Sequence, residues 1–207
     1  MELKCQLDKR QKNQAEKMDR IYIQDKQYKK EAIIAKELPI ADYENCVFIN
    51  CDLSNADLYQ RVFLECEFNS CNLSSANIAK AGLKNVRFRD CKLLGMHFEN
   101  CDQFLFEVDF DNCLLNLSSF YKLKLKKARF KNSNLSDVDF TEADLTNCLF
   151  DNCELMGARF ENSILEKADL RTSRNYLIDP ELNKIKKAKF SIHGIGGLLV
   201  KYDIEIE

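Results

Sequence analysis

Between residues 136 and 160 the chain reads SDVDFTEADLTNCLFDNCELMGARF, with Phe140, Leu145, Phe150, Leu155 and Phe160 at every fifth position. Two places before each stands Val138, Ala143, Cys148, Cys153 or Ala158. Neither the 3.6-residue helical period nor the two-residue strand period gives this spacing. The phase extends back to Ile23 and forward to Leu170, thirty positions in all, of which Gln103 alone is polar. It slips by two residues within Gln103-Phe104-Leu105-Phe106-Glu107.

A longer period lies on top. Every fourth centre forms an aromatic column, Tyr28, Phe48, Phe68, Phe88, Phe110, Phe130 and Phe150. The next column is aliphatic: Ile33, Leu53, Leu73, Leu93, Leu115, Leu135 and Leu155. A third runs Leu38, Leu58, Ile78, Phe98, Phe120, Phe140 and Phe160. Residues twenty apart thus share an environment, which predicts a solenoid of stacked coils with four five-residue sides. Each side is a short extended piece and a turn. The centre points into the lumen, and so does the residue two before it, since side chains alternate along extended chain. Four large residues fill the lumen of each coil, so the second inward slot takes Ala, Cys, Ser or Val. Asn50, Asn100, Asn112, Asn132 and Asn152 are read as turn closers. Parallel stacking at about 4.8 Å per coil gives a rod of roughly 36 Å.

The A-(D/N)-L spacing, as in Ala56-Asp57-Leu58, Ala143-Asp144-Leu145 and Ala168-Asp169-Leu170, resembles the pentapeptide repeat family over about residues 21–172. The resemblance implies an all-β fold, a right-handed quadrilateral parallel β-helix. Residues 1–20 read as a polar N-terminal extension. Residues 173–207 read as a final coil, with Ile185 and Phe190 back in phase after a loop at Asp179-Pro180, then a short helix capped by Ser191 and an alternating strand at 203–207. The tail is similar to that of the quinolone-resistance Qnr branch, whose C-terminal end forms a dimer interface. That similarity implies a homodimer through Ile195, Leu198, Leu199, Tyr202, Ile204 and Ile206.

Ten cysteines would suggest disulfides or a metal, but their positions alter this reading. Cys46, Cys51, Cys66, Cys71, Cys91, Cys101, Cys113, Cys148 and Cys153 all fall in the small inward slot. They are expected to be buried small hydrophobes, because zinc ligands converge tetrahedrally whereas stacked side chains run parallel. His97 follows the inward Met96 and is expected at the surface. The stretch Ser191-Ile192-His193-Gly194-Ile195-Gly196-Gly197 follows no Rossmann strand and has no P-loop lysine, so it reads as a helix entry. Arg61 and Leu123 interrupt the small slot, and Arg61 is expected to distort the coil locally. Gln103 and its insertion are expected to break the rod into two stacks at a kink.

The net charge is −2, from 31 basic and 33 acidic residues, too balanced to argue for nucleic-acid binding. Residues 21–172 carry −5, interrupted by Arg87, Arg89 and a basic run at Lys122, Lys124, Lys126, Lys127, Arg129 and Lys131. There is no apolar run long enough to span a membrane, and the start has no secretory h-region, so the expected location is the cytoplasm.

No cofactor motif or catalytic constellation stands out. The expectation is therefore a non-enzymatic binding protein that acts through its rod surface on a protein partner. A narrower alternative comes from the resemblance. Qnr and MfpA-like members imitate duplex DNA and bind gyrase or topoisomerase IV, type II topoisomerases, protecting them from quinolones. An enzyme with its site at the C-terminal cap is the remaining alternative.

Overall fold

The computed structural model describes residues 20–29 and 38–205; residues 1–19 of the N-terminal extension, Ile33 and Ile206 lie outside them. The chain winds as a parallel β-solenoid. Eleven short strands mark two of its four faces. One sheet holds β1 (Ile21–Gln24), β3 (Ala41–Glu44), β5 (Val62–Leu64) and β7 (Gly82–Lys84). The other runs β2 (Gln27–Lys29), β4 (Val47–Ile49), β6 (Glu67–Asn69), β8 (Val86–Arg89), β9 (Val108–Asp111), β10 (Arg129–Lys131) and β11 (Leu149–Asp151). Every strand pairs in parallel with one twenty residues away, as in Phe48↔Phe68 and Phe68↔Phe88. Across the insertion the step is twenty-two, Phe88↔Phe110. The other two faces are joined by single bridges such as Asp52↔Asn72, Asn72↔Lys92 and Lys92↔Leu114.

The fifth-residue period arises at the corners. The residue two after nearly every described centre adopts a left-handed φ of about +49 to +72°, as at Asn45, Asn50, Asn55, Gln60 and Lys127. Asn and Asp tolerate this region better than other non-glycine residues, which explains how so bent a chain manages with few glycines. The residue before the centre supports the turn: the carboxylates of Asp57, Asp139 and Asp144 accept the N–H two residues on, at 3.1, 2.9 and 3.2 Å. These positions ladder between coils, Asn77 donating to Asp57 at 2.9 Å, and so do the corners, Asn152 donating to Asn132 at 2.9 Å. Asn100 departs from the expected corner. It ends a one-turn 3-10 helix, Phe98–Asn100, and its N–H donates to the His97 carbonyl.

The lumen is filled. Phe48, Phe68, Phe88, Phe110, Phe130, Phe150, Leu53, Leu73, Leu93, Leu115, Leu135 and Leu155 are all at most 2% exposed. The aromatic column stacks ring on ring, with centroids 4.6 Å apart for Phe48–Phe68 and 5.2 Å for Phe130–Phe150. Neighbouring columns meet edge to face, as Phe120 meets Phe130 at 5.7 Å.

Two expectations of irregularity fail. The rod does not divide at Gln103. Phe88 and Phe110 stack at 5.3 Å with planes 10° apart, and Phe98 and Phe120 at 4.6 Å with planes 3° apart. Gln103 is turned to solvent, Phe106 packs on the core in its place, and the two extra residues loop out of one face only. Nor does Arg61 distort the coil. The Arg61 N–H donates to the Leu58 carbonyl at 3.2 Å, and the Gly82 N–H donates to the Arg61 carbonyl at 2.9 Å, the ladder of its neighbours. From its 8%-exposed side chain Nε donates to the Leu38 carbonyl one coil back at 3.0 Å, and Nη1 to that of Tyr59 in its own coil at 3.2 Å.

After Leu170 the coil phase shifts by one, so that Tyr176 rather than Asn175 is buried. A last coil then bridges back through Ile164↔Lys184 and Asp169↔Lys189. Asn183 fills its inward slot, accepting from Ser163 N at 2.8 Å and donating to the Asp179 carbonyl at 3.0 Å. The cap carries the expected short helix in 3-10 rather than α form, and the last two residues of the expected strand, 206–207, lie outside the described residues. It consists of two 3-10 turns, Ile192–Leu198 and Val200–Tyr202, followed by irregular chain at 203–205. Ser191 does cap the first, accepting from Gly194 N at 3.1 Å. Three glycines in seven residues disfavour a full α-helix here.

Candidate functional site

The interior offers small polar groups but no opening. All nine described cysteines are buried and unpaired as disulfides. They are more than small fillers. At several corners the centre carbonyl is met by the slot side chain of the next coil, twenty-three or twenty-five residues on. Cys71, Cys91, Cys113 and Cys153 donate to the carbonyls of Phe48, Phe68, Phe88 and Phe130 at 3.3–3.4 Å. Ser118, Ser163 and Ser173 do the same for Leu93, Phe140 and Phe150 at 2.7–2.9 Å. Arg61 belongs to this pattern, its guanidinium meeting the Leu38 carbonyl. The interchange of Cys with Ser at this slot was the sequence signal for a donor role. Among the described residues no group of three or more His, Cys, Asp or Glu is placed to hold a metal ion.

Burial raises the thiol pKa of Cys51 to about 11 and those of Cys66 and Cys153 to about 12, because the thiolate loses its hydration. A raised folded-state pKa means stability that is intact below the unfolded thiol value and is lost as pH rises toward the folded one. Stability is therefore expected to decline between about pH 9 and about pH 12, with Cys51, Cys66 and Cys153 becoming open to alkylation, mapped by mass spectrometry, only as the chain unfolds. Alkylation of Cys51, Cys66 or Cys153 while circular dichroism stays native would contradict a closed lumen.

The outside is ruled into rows by the coils. On the face of β6 and β8–β11 the outward pairs run Glu67/Asn69, Arg87/Arg89, Asp109/Asp111, Arg129/Lys131 and Leu149/Asp151. Basic rows alternate with acidic ones. Arg87 meets Glu67 at 3.4 Å and Arg129 meets Asp109 at 2.6 Å. Of the basic run, Lys122 pairs with Glu142 at 3.4 Å and Lys126 with Asp144 at 3.2 Å. Lys124, Lys127 and Lys131 have no ion pair among the described residues. His97 is exposed and contacts Glu99 at 3.0 Å.

Exposed apolar side chains are grouped. The insertion presents Phe104 and Leu105, 66% and 65% exposed. Among the described non-glycine residues with left-handed φ, only Leu105 and Leu117 are apolar; the sequence offered Leu105 as one candidate for the lumen and gave no sign of Leu117. At the cap, Ile195, Tyr202 and Ile204 are exposed, as are Ile192 and Val200. Leu199 and Leu198 are half-buried, and Leu198 also packs against the core. Beside the cap lies an open groove of about 330 Å³ lined by Ile178, Leu182, Leu198 and Val200. Its rim lysine, Lys201, is held by Asp179 at 2.8 Å and Glu181 at 2.7 Å.

The fold and its surface define a parallel β-solenoid with a packed interior. The pentapeptide repeat region profile matches residues 41–104 and 103–175, and the chain belongs to the pentapeptide repeat family. QnrB1, described as a plasmid-mediated fluoroquinolone resistance protein, is 18% identical; the match covers 89% of this chain and 98% of that one, with a TM-score of 0.50. HetL, a pentapeptide repeat protein involved in heterocyst differentiation regulation in Nostoc sp. strain PCC 7120, is 16% identical, with coverage of 84% and 88% and a TM-score of 0.34. No curated protein sequence matches. No helix among the described residues is long and apolar enough to cross a membrane.

Proposed function

We propose that the protein is a non-enzymatic, cytoplasmic binding protein whose outer faces contact another protein, and that it pairs with a second copy of itself through the C-terminal cap. One observation carries the binding reading. The large side chains that the repeat directs inward between Leu38 and Leu170 are stacked and sealed, except at the insertion. What the chain can offer a partner is its outward rows, held in fixed register by the coil. Pairing through the cap is supported by the exposed Ile192, Ile195, Val200, Tyr202 and Ile204 at the rod's end, an apolar cluster of the kind that marks interfaces.

The narrower reading is that the partner is a type II topoisomerase, protected against quinolones. It rests on fold likeness along almost the whole length of QnrB1 and on the acidic balance of residues 21–172. The alternating basic rows make the surface a weak copy of a duplex with one charge per about 1.7 Å. Affinity capture from the native host should recover a specific protein. Purified protein in molar excess should relieve ciprofloxacin inhibition of gyrase supercoiling if the narrower reading holds; no relief removes it and leaves the broader one. Light scattering should give twice the chain mass, falling to one chain in Ile195→Asp. A monomeric wild type would end the pairing proposal.

A further inference from the structure

We infer that the insertion at residues 103–107 and the basic groove beside it form a docking site for a partner-protein segment that combines large apolar side chains with carboxylates. The inference rests on the rod-surface reading above and names the place and the chemistry.

The insertion is a fixed knob. At its base Phe104 N–H donates to Asp102 Oδ1 at 3.0 Å, and Asp102 bridges to Gly82. At its other end Glu107 N–H donates to the Leu83 carbonyl at 2.9 Å, and Val86 N–H donates to the Glu107 carbonyl at 3.0 Å. Phe106 anchors the middle against the core. The chain thus holds Phe104 and Leu105 out in water. Leu105 does so at φ 58°, at a kind of corner filled almost everywhere else by Asp, Asn, Glu, Gln, Ser or Lys. The position is unfavourable both for solvation and for backbone preference, and neither burden serves the packing.

The charge flanking the knob is basic, while the knob itself carries Asp102 and Glu107 at its two ends. Lys84, one coil below, places Nζ 5.2 Å from the Phe104 ring centroid. One coil above, the groove, of about 240 Å³, runs between Phe106 and the 124–129 segment. Its Arg129 and Lys126 are already paired with Asp109 and Asp144. Lys124 and Lys127 have no ion pair among the described residues, leaving two cations against Glu107. An apolar contact with unneutralised lysines on both sides suits a segment whose apolar residues cover Phe104 and Leu105 and whose carboxylates reach the lysines.

The test pans a random peptide library displayed on phage against the full chain, then measures the enriched peptide, fluorescein-labelled, by anisotropy. Enriched sequences should pair Asp or Glu with Leu, Phe or Trp. Affinity should fall about tenfold in Phe104→Ser/Leu105→Asn and again in Lys124→Glu/Lys127→Glu, with melting temperatures unchanged, since Asn suits the left-handed corner. No enrichment, lysine-rich enrichment, or affinity untouched by either pair overturns the inference. So does a labelled DNA duplex that binds through the same lysines while the peptide does not. If the host partner is captured equally by wild type and both variants, this site falls while the rod-surface reading stands; if wild type captures none, the underlying reading falls.

Discussion

Phe110→Ala is expected to lower the unfolding free energy by about 3–5 kcal/mol, the usual range for deleting a buried phenylalanine ring. Phe110 is 1% exposed. It stacks between Phe88 at 5.3 Å and Phe130 at 5.1 Å, and meets Phe98 and Phe120 edge-on at 5.7 and 5.9 Å. Four ring contacts disappear at once, and the flanking coils cannot close the gap because their backbones are pinned by ladders on every face. Each coil touches only its neighbours, so a defect in mid-rod should also loosen the coupling between the halves. Urea unfolding followed by far-ultraviolet circular dichroism should show a lower midpoint and a broader or divided transition. The exposed Phe104 is the control: Phe104→Ala should change stability by no more than about 0.5 kcal/mol. A Phe110→Ala variant as stable as that control would mean the lumen is not packed.

Gly197→Ala carries the second large effect, at the other end of the molecule. An added Cβ would lie 2.1 Å from the Tyr176 carbonyl oxygen and 3.2 Å from its carbon. Backbone cannot swing aside as a side chain can. The same strand of chain supplies the Ile178 N–H that donates to the Gly197 carbonyl at 3.0 Å, so relieving the clash breaks the tie between cap and last coil. The loss is expected to reach about 1–3 kcal/mol, with the cap detached, Leu198 unpacked and limited proteolysis cutting after the last coil. Gly194→Ala makes the informative comparison. Its Cβ would meet the Tyr176 hydroxyl, also at 2.1 Å, but that atom ends a side chain that can tilt, so the milder phenotype belongs there. Equal and wild-type-like behaviour of both variants would show that the cap does not rest on Tyr176.

How much of this was legible beforehand follows from which residues carry a period. The centres and slots repeat every five, so the four-sided coil and the buried places of Phe48 or Leu115 could be read directly. The cysteines were read as small and buried; the Cys-for-Ser interchange hinted at a donor, but its target, a carbonyl twenty-three residues away, is defined only once the coils are stacked. Arg61 looked like a defect for the same reason: its target, the Leu38 carbonyl, belongs to the coil beneath. At the insertion the sequence located the slip. Which of Phe104, Leu105 and Phe106 would enter the lumen was settled by the ladder bonds of Asp102 and Glu107. The cap has no repeat at all, and there local glycine content prevailed over the apolar pattern that suggested a helix.

The short step between ladder partners, twenty residues everywhere but at the insertion, where it is twenty-two, also bears on how fast the native state is reached. Strand partners in most all-β domains lie far apart in the chain, and the loop entropy of joining them slows the search. Here the characteristic separation is about a tenth of the chain length, a value nearer to helical bundles than to sandwiches. Once any two windings have met, every further one adds at the growing edge with the same short closure. The molecule is thus an all-strand protein with the kinetic character of a helical one, zipping from a nucleus rather than waiting for distant ends to collide.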